Sequence, residues 1–169
     1  MRKKQIIATC VLLLVAFLVV FPPLASGSVT VALSSSSSVP AEHVYVTIET
    51  ISAHRADTRE PSGWFLVSNR SVRVDLAVAN LSQAIGLGSL SLGEYDTIKL
   101  KITNATMVVN NTFKNLQLGY EDFTVSVSFF IQLGSKVSVL LSVISDIEEE
   151  TGGGPTLTLT FSATPTSST

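Results

Sequence analysis

The chain is short of the groups from which most enzymes and metal sites are built. Its 169 residues include one cysteine and two histidines. Cys10 lies in an apolar run near the start, away from any lipid-attachment position, so the body of the chain has no disulfide and no cysteine-based metal site. Charge is sparse at 14 % of residues, and beyond Lys4 the basic residues stand singly apart from Arg55 and Arg59. Nucleic acid is therefore excluded as a partner, because binding it needs a basic patch that displaces counterions. No Gly-x-Ser-x-Gly elbow occurs, and Gly86-Leu87-Gly88 with Gly93 precedes no helical pattern that would make it a dinucleotide loop. Helical periodicity is also missing. The best candidate, Ala77 to Ile85, offers one or two turns before Gly86, Gly88 and Gly93 break it.

What is present begins with an export address. Arg2, Lys3 and Lys4 precede the apolar run Ile6 to Phe21, which ends at Pro22-Pro23 and the small residues Ala25-Ser26-Gly27. This is the layout of a signal peptide over residues 1–27, with cleavage expected after Gly27. The alternative is a retained anchor helix, with residues 5–21 as the only membrane contact. As a helix the 16-residue run would cover about 24 Å, short of a roughly 30 Å hydrocarbon core. Both readings place the body outside the cytoplasm, on the cell surface or beyond. Without the three leading basic residues, eight basic side chains face 13 acidic ones, a net charge near −5. Four Asn-x-Ser/Thr triplets, at Asn69, Asn80, Asn104 and Asn110, are expected glycosylation sites in such a compartment. The end, Thr164 to Thr169, reads as a flexible tail open to O-glycosylation.

The body alternates with period two. Phe123, Val125, Val127, Phe129, Ile131 and Leu133 share one face, and Val137, Val139, Leu141 and Val143 follow beyond the turn Gly134-Ser135-Lys136. That pattern predicts a hairpin with one buried and one solvated face. Ile98, Leu100 and Ile102 alternate likewise, as do Val44/Val46/Ile48, Val72/Val74/Leu76 and Leu157/Leu159/Phe161. Glu148-Glu149-Glu150 before Gly152-Gly153-Gly154 reads as a solvated connection. Its carboxylates lack the spacing of a calcium loop. Strands at roughly ten-residue spacing predict an all-β fold, a two-sheet antiparallel β-sandwich of immunoglobulin-like or transthyretin-like type, as one domain over residues 28–163.

Several segments resemble the domain-of-unknown-function 4382 family. They are VYVTIETISAH, the tryptophan-bearing GWFLVS, VRVDLAVANL and above all LSLGEYDTIKL, Leu90 to Leu100, together with the pair Asp75-Leu76. The resemblance implies a secreted or anchored β-sandwich and no particular reaction. One departure stands at the start, where Ser34 to Ser38 and Val39-Pro40 replace a short turn.

That serine run suggests two roles for Val29, Val31 and Leu33. They form either the molecule's own first strand, linked by a loose crossover, or an assembly strand donated to a neighbouring subunit. His54, Asp57 and Glu60 are weak metal candidates, since two histidines eleven residues apart (His43 and His54) lack zinc-type spacing. Trp64 could stack on a sugar or simply pack at a sheet edge. Tyr95 is expected to pack at a strand entry with its hydroxyl on the backbone, and Phe130 faces opposite its neighbours, towards a second core or an exposed patch. Together these features describe a structural or adhesive surface protein with no enzyme activity and no cofactor, partnered by itself as a filament subunit or by other surface components. The alternative is an extracellular module binding carbohydrate or metal.

Overall fold

The computed structural model describes residues 26–35, 41–78, 81–149 and 154–168. Residues 1–25, the serine-rich link 36–40, residues 79–80 (with the expected glycosylation site Asn80), residues 150–153 and residue 169 lie outside them. Eleven strands follow in order: β1 (Ser26–Ser35), β2 (His43–Arg55), β3 (Trp64–Ser68), β4 (Val72–Asp75), β5 (Leu81–Ser91), β6 (Gly93–Val109), β7 (Thr112–Asn115), β8 (Gln117–Leu118), β9 (Asp122–Ile131), β10 (Lys136–Glu149) and β11 (Pro155–Ser168). They form two sheets. One has the order β5-β1-β10-β11-β8; the other runs β3-β2-β6-β7, with β4 also paired to β2 and β9 to β6. The described residues form an all-β, two-sheet fold, as their alternation predicts.

A single apolar cluster fills the space between the sheets. Val29, Val31 and Leu33 of β1 meet it from one side, and Val44, Val46, Ile98, Leu100 and Ile102 from the other, all at 0–1 % exposure. Each such side chain gains roughly 1.5–3 kcal/mol from burial. The opposite face of the first sheet is rich in hydroxyls: Thr30, Ser138 and Thr166 align across β1, β10 and β11, as do Ser34, Ser142 and Ser162. Serine and threonine there suit a solvated pleated surface.

Strict period two fails where both neighbours of an odd spacing point inward. Ile48 and Ile51 are both buried, and so are Tyr95 and Ile98. The register shifts between Ile48 and Thr50, and again between Tyr95 and Thr97. A β-bulge takes up the extra residue in each place and returns the strand to the core.

Five expectations need correction. The segment 123–143 is not a hairpin: β9 pairs with β6 in one sheet, while β10 pairs with β1 and β11 in the other. The turn between them carries the chain across the sandwich, and Leu133 is left outside the core, 70 % exposed. Nor are the sheets purely antiparallel, since β1 runs parallel to β10 and β8 parallel to β11. Residues 81–85 are strand, not helix, and β5 continues through Gly86 and Gly88. Those glycines permit close approach rather than a break. A Cβ on Gly88 would strike the Val67 carbonyl of β3, and one on Gly86 would lie 2.7 Å from Ile51 Cδ1. Thr164 to Ser168 form no tail but pair with Lys136–Leu140 of β10. Finally, β1 begins at Ser26, before the expected domain boundary, and keeps Ser34 and Ser35; the Ser35 hydroxyl is buried and donates to the Leu76 carbonyl at 2.6 Å.

Gly88→Ala should destabilise the fold by about 1–3 kcal/mol, the usual cost of overpacking. Gly119→Ala adds its methyl to open space and should stay within about 0.5 kcal/mol. Urea unfolding of both variants measures the difference.

Candidate functional site

The polar residues singled out by sequence gather on the outer face of the second sheet. His54 of β2 pairs across to Trp64 of β3 on one side and to Thr97 of β6 on the other. Although it points away from the main core, its side chain is only 7 % exposed. The loop 56–63 closes over it, pinned by hydrogen bonds from Arg55 N to the Gly63 carbonyl and from Ala56 N to the Glu94 carbonyl. Gly63 holds φ at +86°, in the region that favours glycine. His54 Nδ1 lies 2.9 Å from Asp96 Oδ1, and Nε2 lies 3.1 Å from the Ser62 carbonyl oxygen. Both ring nitrogens are thus engaged by the protein.

The other candidates face different partners. Asp57 Oδ1 lies 2.8 Å from Arg55 Nε, an ion pair off the line of a hydrogen bond. Glu60 Oε2 accepts from Trp64 Nε1 at 3.0 Å. His54, Asp57 and Glu60 therefore do not converge. Among the described residues, no group of three or more His, Cys, Asp and Glu side chains is placed to hold a metal ion. Trp64 sits on an edge strand, half-buried, with Lys99 Nζ 4.2 Å above its ring and the His54 ring 5.0 Å away. A sugar would have to displace Lys99 to stack on that face.

A second cluster, not legible in the sequence, forms at the other end of the same sheet. His43 Nδ1 lies 2.6 Å from Asp75 Oδ2, and the His43 ring stacks on Tyr45 at 5.3 Å. Arg73 covers the Tyr45 ring at 4.0 Å. Asp75 Oδ1 accepts from the backbone of Val44 and Ala77, which explains the aspartate of the Asp75-Leu76 pair: it ties the turn after β4 to β2. The only sequence signal was that aspartate itself, since His43 is 32 residues away.

The LSLGEYDTIKL segment likewise resolves into packing. Leu90, Tyr95, Ile98 and Leu100 are buried, and Gly93 turns the chain from β5 into β6 at φ +145°. Tyr95 stacks on Phe129 at 5.4 Å, and its hydroxyl donates to the Ser91 carbonyl at 3.1 Å, the backbone contact expected of it. Phe130 takes the exposed alternative, at 56 %. Asn69, Asn104 and Asn110 are exposed, Asn110 at a turn where it and Asn111 both have positive φ. Val29, Val31 and Leu33 sit inside the molecule's own first sheet, between β5 and β10.

These features define a class: a two-sheet β-protein whose conspicuous polar side chains are spent on one another and on its own backbone. Residues 26–162 match the family described as Domain of unknown function (DUF4382), and the chain belongs to that family. No curated protein and no solved structure matches it.

Burial raises the Asp96 carboxyl pKa, but hydrogen bonds from His54 and Thr97, with the attraction of His54, outweigh it and leave the group below its ordinary value of 3.8. A carboxyl lowered on folding adds stability above its unfolded pKa and loses it as pH falls through the folded one. Chemical denaturation of Asp96→Asn should therefore show a flatter loss of stability than the parent below about pH 4, the two converging in acid. Parallel curves would remove Asp96 from that role.

Proposed function

We propose that the chain is an exported structural or adhesive module of the cell exterior, with no reaction of its own. The observation that carries this reading is the consumption of its best chemical group. With Asp96 on one nitrogen of His54 and the Ser62 carbonyl on the other, the ring has no free nitrogen with which to activate a nucleophile or bind a metal. Support also comes from the export-type leader, the exposed sequons at Asn69, Asn104 and Asn110 and the hydroxyl-rich face of the first sheet.

Self-assembly by exchange of β1 is the mode of association we attach to this reading. β1 is N-terminal and joined to β2 through the serine-rich link, and a neighbour's copy would restore every pairing it makes with β5 and β10. Such exchange must be reciprocal or continuous. A groove lacking Val29, Val31 and Leu33 would forfeit about 5–9 kcal/mol of burial, comparable with the whole stability of a domain. The second reading, a carbohydrate-binding module, rests on Trp64 and its edge position.

Deleting residues 26–35 should leave a chain that captures a synthetic SGSVTVALSS peptide and runs with it as a folded monomer. The intact protein should form particles whose size grows with concentration in light scattering. A strict monomer at every concentration would overturn the filament. Glycan binding lost on Trp64→Ala would favour the second reading over the first.

A further inference from the structure

The chain enters the fold at an end that carries three of its exposed large apolar side chains, Leu92, Phe130 and Leu133. The Ser26 carbonyl accepts from Gly134 N at 3.1 Å, and Ser28 N donates to the Ser135 carbonyl at 2.9 Å, so the start of β1 lies against the turn between β9 and β10. Ser26 also pairs with Ser91, next to the turn from β5 to β6. Leu133 and Leu92, 70 % and 36 % exposed, lie on those two turns. Phe130, 56 % exposed, is one pair in from the same end, opposite Glu94.

We infer that this end of the sandwich is a membrane-contact surface, with Leu133, Leu92 and Phe130 resting in the headgroup layer while the apolar run Ile6 to Phe21 remains in the bilayer. Distance sets the geometry. Five steps of chain separate Phe21 from Ser26, a reach of at most about 18 Å, and the headgroup layer itself takes up roughly 5–8 Å on each side of the hydrocarbon. The domain cannot move far from the surface, and the end nearest the tether is this one. Apolar side chains exposed to water elsewhere lose nothing by meeting an interface, and those held there gain from partial burial. Ser26 and Gly27 bear on retention as well. Cleavage after Gly27 would remove the pairs with Ser91 and Leu90 and the glycine whose missing Cβ leaves room for the Gln132 carbonyl, 2.8 Å from where it would stand.

The inference shares the export reading with the proposed function but not the structural role, and its test separates them. The full chain with Cys10→Ala would carry a single cysteine at Leu133→Cys or, as the far-end control, at Phe113→Cys, which is 69 % exposed in the turn-proximal part of β7. Both would be labelled with an environment-sensitive fluorophore in phosphatidylcholine nanodiscs and challenged with iodide. The expected result is blue-shifted, iodide-protected emission at 133 and full quenching at 113. Equal behaviour of the two labels overturns the inference, as does recovery from the producing cells of only a released chain lacking residues 1–25. Neither result bears on whether the exported domain assembles with itself.

Discussion

The seating of β1 between β5 and β10 is the constraint from which the rest of the molecule follows. It has an antiparallel neighbour, β5, on one side and a parallel neighbour, β10, on the other. Parallel neighbours cannot be joined by a tight turn, and here more than a hundred residues separate them in sequence. The ten residues of β1 therefore cannot complete their pairing until nearly the whole chain is in place. Their inner side chains are among the most completely buried in the protein. Local structure along the chain is simple, while closure of the sandwich is non-local, the pattern that makes β-folds slow to form.

Much of this fold was legible because the alternation is regular. Val125, Val127 and Phe129, and then Val137, Val139 and Leu141, face the core as their period-two spacing requires. What alternation could not convey is which sheet a strand joins. The β9–β10 turn reads as a hairpin because two alternating runs flank a glycine, yet the same pattern serves a chain that crosses from one sheet to the other. The misreading of 77–85 has a different cause. Gly86 and Gly88 look like breakers, whereas the lack of a side chain makes room for Ile51 at the first and for the backbone of β3 at the second. Thr164 to Ser168 has the composition of a tail and is held in register by the first half of β10, a long-range partner that composition does not reveal.

The candidate site was legible only in part, for a related reason. His54 and Trp64 stood out as rare residue types, and the cross-strand register brings them together. Their true partners, Asp96 and Lys99, lie on β6 and were indistinguishable from other surface charges in the sequence. Asp57 and Glu60 were close in sequence to His54 but are drawn to Arg55 and Trp64 instead. Proximity along a loop is a poor guide to convergence when each side chain has a nearer partner.

The edges of the first sheet bear on how copies could associate. A proline in an antiparallel ladder must stand where its nitrogen points away from the partner strand, since it has no hydrogen to donate. Pro155 and Pro165 both lie opposite residues of β10 and are ten positions apart, so the pleat turns both nitrogens towards the outer edge of β11. That edge is interrupted at its two ends, and near Pro155 it is further occupied by β8 at Thr156 and Leu157. Only a short stretch about Phe161 retains outward-facing donors, and Phe161 itself packs edge-on against Phe123 beneath. Simple edge-to-edge growth from β11 is thus discouraged by the same devices that keep other β-proteins apart. Exchange of a strand already accommodated in the interior of this sheet would demand no new ladder at the β11 edge.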